Sequence, residues 1–237
     1  MDNFSNDYGR RQVRDVTEVN SFLTKTYGMM ALAVFVSAIT AYLADTVFQS
    51  VLIGLFTNRA SSLVLLFLPI VLTFAISFSA TRKPVASFVM LMVEAVVYGL
   101  VFAVIATAYT GATLATAFLA SSAVFVSMAI YGSVTKRDLS NIGAYAFAAL
   151  IGLLVATIVN MFLRNPMVTY IFSYIGVIIF TGLTAWDAQR MKNIYAQYAD
   201  QNTTMGLAVA GALQLYLDFI NIFLYFLQIF GVSDNRD

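Results

Sequence analysis

Residues Met205–Phe230 read MGLAVAGALQLYLDFINIFLYFLQIF. An apolar run of this length crosses a bilayer, which takes roughly 20 residues. Asp218 nevertheless sits near its middle. A charge at that depth costs about 2.5–3.5 kcal/mol on insertion scales, so the carboxyl must face protein or water rather than lipid. Gln214, Asp218, Asn221, Tyr225 and Gln228 follow one another at helical spacing and define a polar stripe, with Leu, Ile, Phe and Ala on the other faces. The stretch therefore predicts a central membrane helix whose polar seam turns inward.

The rest of the chain agrees with an all-α, polytopic membrane protein. Of its 237 residues 60% are hydrophobic and 11% charged, where soluble domains carry about 25% charged residues. The mean hydropathy is +0.83. The apolar segments are too long, and alternate too little, for a transmembrane barrel. A net charge of +1 gives no field for nucleic acid, and no nucleic-acid partner is expected. With no Cys and no His, disulfides, thiolate chemistry and imidazole proton transfer are absent. Proton chemistry inside the membrane falls to carboxyls, Tyr, Lys or Arg.

In chain order, residues 1–26 form a polar N-terminal tail without the features of a cleaved signal peptide. Within it, Val13–Thr26 reads equally as a short amphipathic surface helix or as a partly ordered tail. Seven spans follow over residues 27–231: Tyr27–Ala44, Leu63–Ser79, Val85–Ala108, Ala112–Tyr131, Ile142–Leu163, Met167–Trp186 and Met205–Phe230. Val51–Phe56 is apolar but too short to cross. Pro69 predicts a kink in the second span. Ala148, Gly152 and Ala156 predict a close-packing face on the fifth. Residues 232–237 are a short tail.

Loop charge orients the chain. Seven crossings put Arg10, Arg11, Arg14, Lys25, Arg82, Lys83, Lys136, Arg137, Arg190 and Lys192 on one side, against Arg59, Arg164 and Arg236 on the other. That asymmetry predicts a cytoplasmic N-terminus. No internal repeat of the kind found in inverted-repeat transporters is evident.

Asp187 closes the sixth span and Asp218 lies inside the seventh; consecutive antiparallel helices are usually neighbours. Asp218 lies roughly 13 residues, or ~20 Å at ~1.5 Å per residue, beyond Met205. The two acids meet only if the sixth helix continues past Trp186 or the seventh begins outside the membrane. If they meet, both cannot ionise cheaply, and the pair shares a proton or attracts a cation. Ca²⁺ takes 6–8 oxygens, so carbonyls, water or Asn221 would have to complete its shell. Glu94 in the third span is a further acid at membrane depth, with Tyr98 one turn on. Arg82 belongs on the same side as Asp187 and is a topological candidate to pair with it.

The stretch LYLDFINIFLYFLQIFG (Leu215–Gly231) closely resembles the last-helix signature of the Bax inhibitor family, the transmembrane Bax inhibitor motif-containing proteins. TGLTAWDAQRMK (Thr181–Lys192) resembles the same family's aspartate followed by a nearby glutamine, and Glu94 an acid of some members. The resemblance extends along the chain. It implies a seven-helix fold with the last helix central, and a pH-sensitive Ca²⁺ leak gated by protonation of Asp187 and Asp218. It implies Arg82 as a latch on that pair. The 6–7 connection looks longer than in compact bacterial members, although the short tail and absence of Cys fit a bacterial inner-membrane protein. No cofactor beyond Ca²⁺ as transported or bound ion is implied, and the expected partners are the lipid bilayer, calcium ions and protons.

Other functions fit parts of the chain. A regulatory protein acting through membrane-protein partners is the main alternative, and a proton-coupled transporter a weaker one. An intramembrane aspartyl protease would match Trp186-Asp187, but Tyr216-Leu217-Asp218 replaces its Gly-x-Gly-Asp motif. The chain is expected not to be an enzyme. No span contains a Lys for a retinal Schiff base.

Overall fold

A computed structural model describes residues 16–198 and 203–234. The described residues form eight helices and no strand: α1 (Val16–Thr46), α2 (Gln49–Thr57), α3 (Arg59–Ser79), α4 (Pro84–Ala106), α5 (Gly111–Val134), α6 (Ser140–Leu163), α7 (Pro166–Tyr198) and α8 (Thr204–Asp234). Seven are long and apolar enough to cross a membrane; α2 is the exception.

Local chemistry sets several helix boundaries. Asn58 begins α3 by accepting a hydrogen bond from the Ala60 N–H (2.9 Å), and Thr110 begins α5 by accepting one from Thr113 (3.2 Å). Proline opens α4 and α7, where its missing N–H is harmless. Arg164 ends α6 in the left-handed conformation (φ 52°), directly before Asn165-Pro166.

The bundle is organised around α8. In an 18-residue apolar stretch of α8, 61% of residues are buried, against 17–33% in the corresponding stretches of the other six. It packs on α1, α4, α5 and α7, and touches α3. Tyr216 is completely buried on it, and Phe219 meets Phe118 and Phe125 of α5 edge to face. The outward faces of the surrounding helices carry exposed Leu, Ile, Val and Phe, as a lipid-facing surface requires.

Two expectations change and a third is narrowed. First, α1 does not begin at Tyr27: it is one helix from Val16, so the 26/27 boundary falls inside it, while residues 13–15 lie outside the described residues. The reason is a stripe of buried positions, Val19, Phe22, Thr26, Met30, Ala33 and Ser37, that runs unbroken from the polar segment into the span. Phe22 stacks on Tyr195 of α7 at 4.2 Å and joins Val19, Met191 and Ala208 in a small apolar cluster. Second, of the predicted close-packing residues Ala148 and Gly152 are exposed, with nothing near Gly152, and only Ala156 is half-buried. Helix α6 instead packs through Gly143, Leu153 and Asn160. Third, of the two ways in which the acids could meet, the structure takes the continuation of the sixth span past Trp186, with α7 running on helically to Tyr198.

That continuation decides the site. Along α7 the buried positions Ser173, Gly176, Phe180, Thr184, Asp187, Met191 and Tyr195 keep steps of three and four through the apparent end of the span. Ala, Gln, Arg, Met and Lys after Trp186 are good helix formers, so nothing breaks the helix there. At ~1.5 Å per residue, the helix is about 50 Å long and overruns a hydrocarbon core of ~30 Å.

Candidate functional site

The antiparallel register of α7 and α8 can be read rung by rung. Ser173 donates to Gln228 Oε1 (2.7 Å). Gly176 lies under the Tyr225 ring, where any Cβ would strike it, so only glycine lets the helices approach this closely. Phe180 also packs on Tyr225. Further along, Met191 packs on Gly211. Between these rungs Asp187 and Asp218 share a hydrogen bond through their carboxyls.

Both carboxyls are enclosed: Asp187 is 1% and Asp218 4% exposed. Asp187 Oδ1 and Asp218 Oδ2 have no hydrogen-bond partner. Buried polar atoms are nearly always satisfied, so an orphaned oxygen on each member of the pair requires explanation. A carboxyl–carboxyl hydrogen bond itself requires a proton on one member, since an ionised carboxylate only accepts.

Rotation of α7 is fixed from its opposite face. Gln189 Nε2 donates to the Arg137 carbonyl (2.7 Å), and its Oε1 accepts from the Leu139 N–H (2.9 Å). This clamps α7 to the turn between α5 and α6. A Cβ on Gly132 of α5 would collide with the Ala185 backbone carbonyl, so these helices touch backbone to backbone. Trp186 covers Gly143 of α6 and carries the Arg190 guanidinium 5.0 Å above its ring.

The remaining candidate residues are placed as follows. Arg82 is exposed in the turn between α3 and α4; the cation whose field reaches Asp187 is Arg190, three residues along the same helix. Asn221 turns its amide back on α8, Nδ2 donating to the Leu217 carbonyl (2.8 Å). Glu94 is fully buried between α3 and α4: Thr73 donates to Oε1 (2.6 Å), and Oε2 has no partner. The polar stripe of α8 is not wholly inward. Asp218 is buried, Asn221, Tyr225 and Gln228 are half-buried, and Gln214, one turn before Asp218, is exposed. Among the described residues no group of three metal-ligating side chains occurs, so the two aspartates stand as a pair.

The sequence alone does not single out Arg190, the clamping role of Gln189, or Thr73. Gln189 and Arg190 lie within the quoted span-6 motif, two and three residues after Asp187. Reading α7 as a continuing helix would have set Arg190 beside the acid. Nothing local to Thr73 marks it as the partner of Glu94.

The arrangement defines a class: a seven-helix membrane protein whose buried last helix meets its predecessor through a carboxyl pair. The chain belongs to the Bax inhibitor-1 family, since the family described as "Inhibitor of apoptosis-promoting Bax1" matches residues 19–235. It is 38% identical to an uncharacterized membrane protein of Streptococcus pyogenes serotype M3, covering 91% of this chain and 94% of that one. It is 36% identical to inner membrane protein YbhL of Escherichia coli K12, over 90% and 92% of the two chains. An uncharacterized Borreliella burgdorferi protein is 32% identical over 95% and 97%.

Proposed function

We propose that this protein is a pH-sensitive calcium leak channel of a bacterial inner membrane, with its N-terminus cytoplasmic and its path controlled by Asp187 and Asp218. The observation that carries the reading is the hydrogen bond between two enclosed carboxyls on the central helix and its neighbour. With one proton between them, the acids tie α7 to α8. With none, two negative charges face each other in a low-dielectric site, which favours separation of the helices or capture of a cation. Ca²⁺ is a cargo here: two carboxyls are too few for a resident ion, and water would supply most of its shell during passage. Gln214, exposed one turn away, gives the pair a polar neighbour on the side toward the start of α8. The basic turns carrying Arg82, Lys83, Lys136 and Arg137 lie at that same end and support the orientation. The inner-membrane assignment follows the name of the E. coli relative. No catalytic role is proposed.

The test is Ca²⁺ entry into proteoliposomes containing a fluorescent indicator, measured across pH. Wild-type flux should change with pH. Asp218→Asn, with an unchanged elution profile, should bring flux to the level of protein-free vesicles. Asp187→Asn should flatten the pH profile. Flux that ignores pH and survives both substitutions would overturn the reading.

A further inference from the structure

Helices α1 and α5 both pack on α8, yet along most of their length they leave a cleft between them. Its main part has a volume of about 720 Å³, within the ~300–1,000 Å³ of ordinary ligand sites. Its walls include Met30 and Val34 of α1 and Val126 and Ile130 of α5, and Phe219 of α8 forms its floor. A second hollow of about 270 Å³ shares Val34, Ala38, Phe118 and Phe219 with the first and runs on to Asp45. From Asn20 to Asp45 the seam extends roughly 38 Å at ~1.5 Å per residue, enough to cross the ~30 Å hydrocarbon core.

The two ends differ in charge. At the Asn20 end the lining turns polar, with Thr24, Tyr27 and Ser133. Tyr27 bridges the helices there, its hydroxyl 2.8 Å from Ser133 Oγ. Lys192 reaches across from α7, Nζ donating to the Ser133 carbonyl (2.6 Å), with two further N–H groups left to offer. Lys136 and Arg137 are exposed just past Val134, the last residue of α5 to line the cleft, with Asp138 following them. At the far end the charged residue is Asp45. An apolar bore with cations at one mouth and an acid at the other matches an amphiphile with a negative head and a hydrocarbon tail.

We propose that the α1–α5 cleft is a binding site for an anionic phospholipid, with one acyl chain lying along Phe219 and the phosphate held at the Lys192 mouth. The site is formed by α1 and α5 rather than by the α7–α8 contact, and does not depend on the function proposed above. It differs from the lipid ring around any membrane protein because its floor is the central helix.

The full chain in phosphatidylcholine nanodiscs is doped with a phosphatidylglycerol whose acyl chain carries a photoactivated diazirine, irradiated and mapped by peptide mass spectrometry. Labels should concentrate on α1, α5 and the Phe219 segment of α8, and fall on the outer faces of α3 and α6 only at background. Ala38→Trp and, separately, Ala31→Trp fill the cleft from exposed positions that do not hold the fold together. Either should remove the concentrated labels while leaving the background. Lys192→Gln should lower the preference for the phosphatidylglycerol probe over a phosphatidylcholine probe roughly fivefold, corresponding to ~1 kcal/mol for one basic group near an anionic surface. Three results would overturn the proposal: labels spread evenly over all outward faces, equal labelling by the two probes, or protein–protein crosslinks between copies at α1 and α5 in place of lipid.

Discussion

The bundle buries carboxyls in two ways. Glu94, between α3 and α4, is alone and meets a hydroxyl: Thr73 donates to one of its oxygens. Asp187 and Asp218, between α7 and α8, meet each other. A hydroxyl serves a carboxyl whether or not it is ionised, so Thr73 satisfies one Glu94 oxygen in either state, while Oε2 has no partner. A pair of acids has no such partner of its own and needs a proton or a cation between its members. The comparison predicts that Glu94 serves packing and that Asp187 and Asp218 change state.

The largest effect that tests this contrast is a double-mutant cycle at the pair. Asp187→Leu or Asp218→Leu alone leaves the other carboxyl buried and unsatisfied, which costs about 1–3 kcal/mol, and more if it stays charged. The double substitution should cost less than the sum of the singles, with a coupling of ~0.5–3 kcal/mol in unfolding by SDS titration from detergent micelles. Additive losses would mean that the carboxyls do not interact. At the other site, Thr73→Val should destabilise by ~1–3 kcal/mol by stranding Glu94, whereas Glu94→Gln, whose amide oxygen still accepts from Thr73, should stay within ~1 kcal/mol. Neither should alter the pH profile of Ca²⁺ flux; a profile changed by Glu94→Gln would erase the distinction between the sites.

Smaller effects refine the surroundings of the pair. Arg190→Gln should cost ~0.5–1 kcal/mol through loss of the Trp186 contact, and should move the pH midpoint of flux. Arg82→Gln, in an exposed turn, should leave the midpoint in place. The smallest effect lies outside the membrane at Asp138. Bonds from the Ser140 hydroxyl (2.7 Å) and N–H (2.9 Å) hold its carboxyl below the ordinary value of 3.8. A carboxyl lowered by folding contributes stability above its unfolded pKa, and that contribution is lost as pH falls through the folded value. Ser140→Ala should therefore raise the Asp138 midpoint in an NMR titration without affecting flux.

Hydropathy made the number and order of spans legible because a bilayer imposes length on any helix that crosses it. It was silent where water or protein takes over from lipid. The extension of α7 beyond Trp186 is hidden from a count of apolar residues, since its outer face carries Arg190 and Asn193 while Asp187, Met191 and Tyr195 keep the inner stripe. The beginning of α1 is hidden in the same way by Glu18 and Asn20 beside Val19 and Phe22. On α6, the small residues Ala148 and Gly152 were as compatible with the outside as with a neighbour, and only the packing of Gly143 and Leu153 shows which face is used. For the candidate site, both aspartates could be named from sequence, but their register could not. That register rests on Gly176 against Tyr225 and Ser173 against Gln228, contacts between residues about fifty positions apart.

The stack of Phe22 on Tyr195 has a mechanical consequence. Tyr195 lies eight residues beyond Asp187 on one continuous helix, a little over two turns and ~12 Å away. The opening turns of α1 thus moor the C-terminal part of α7, the helix that carries Asp187. A protein that grips the chain upstream of Tyr27 would pull on that helix, and a protease that trims the segment would release it, without touching either carboxyl.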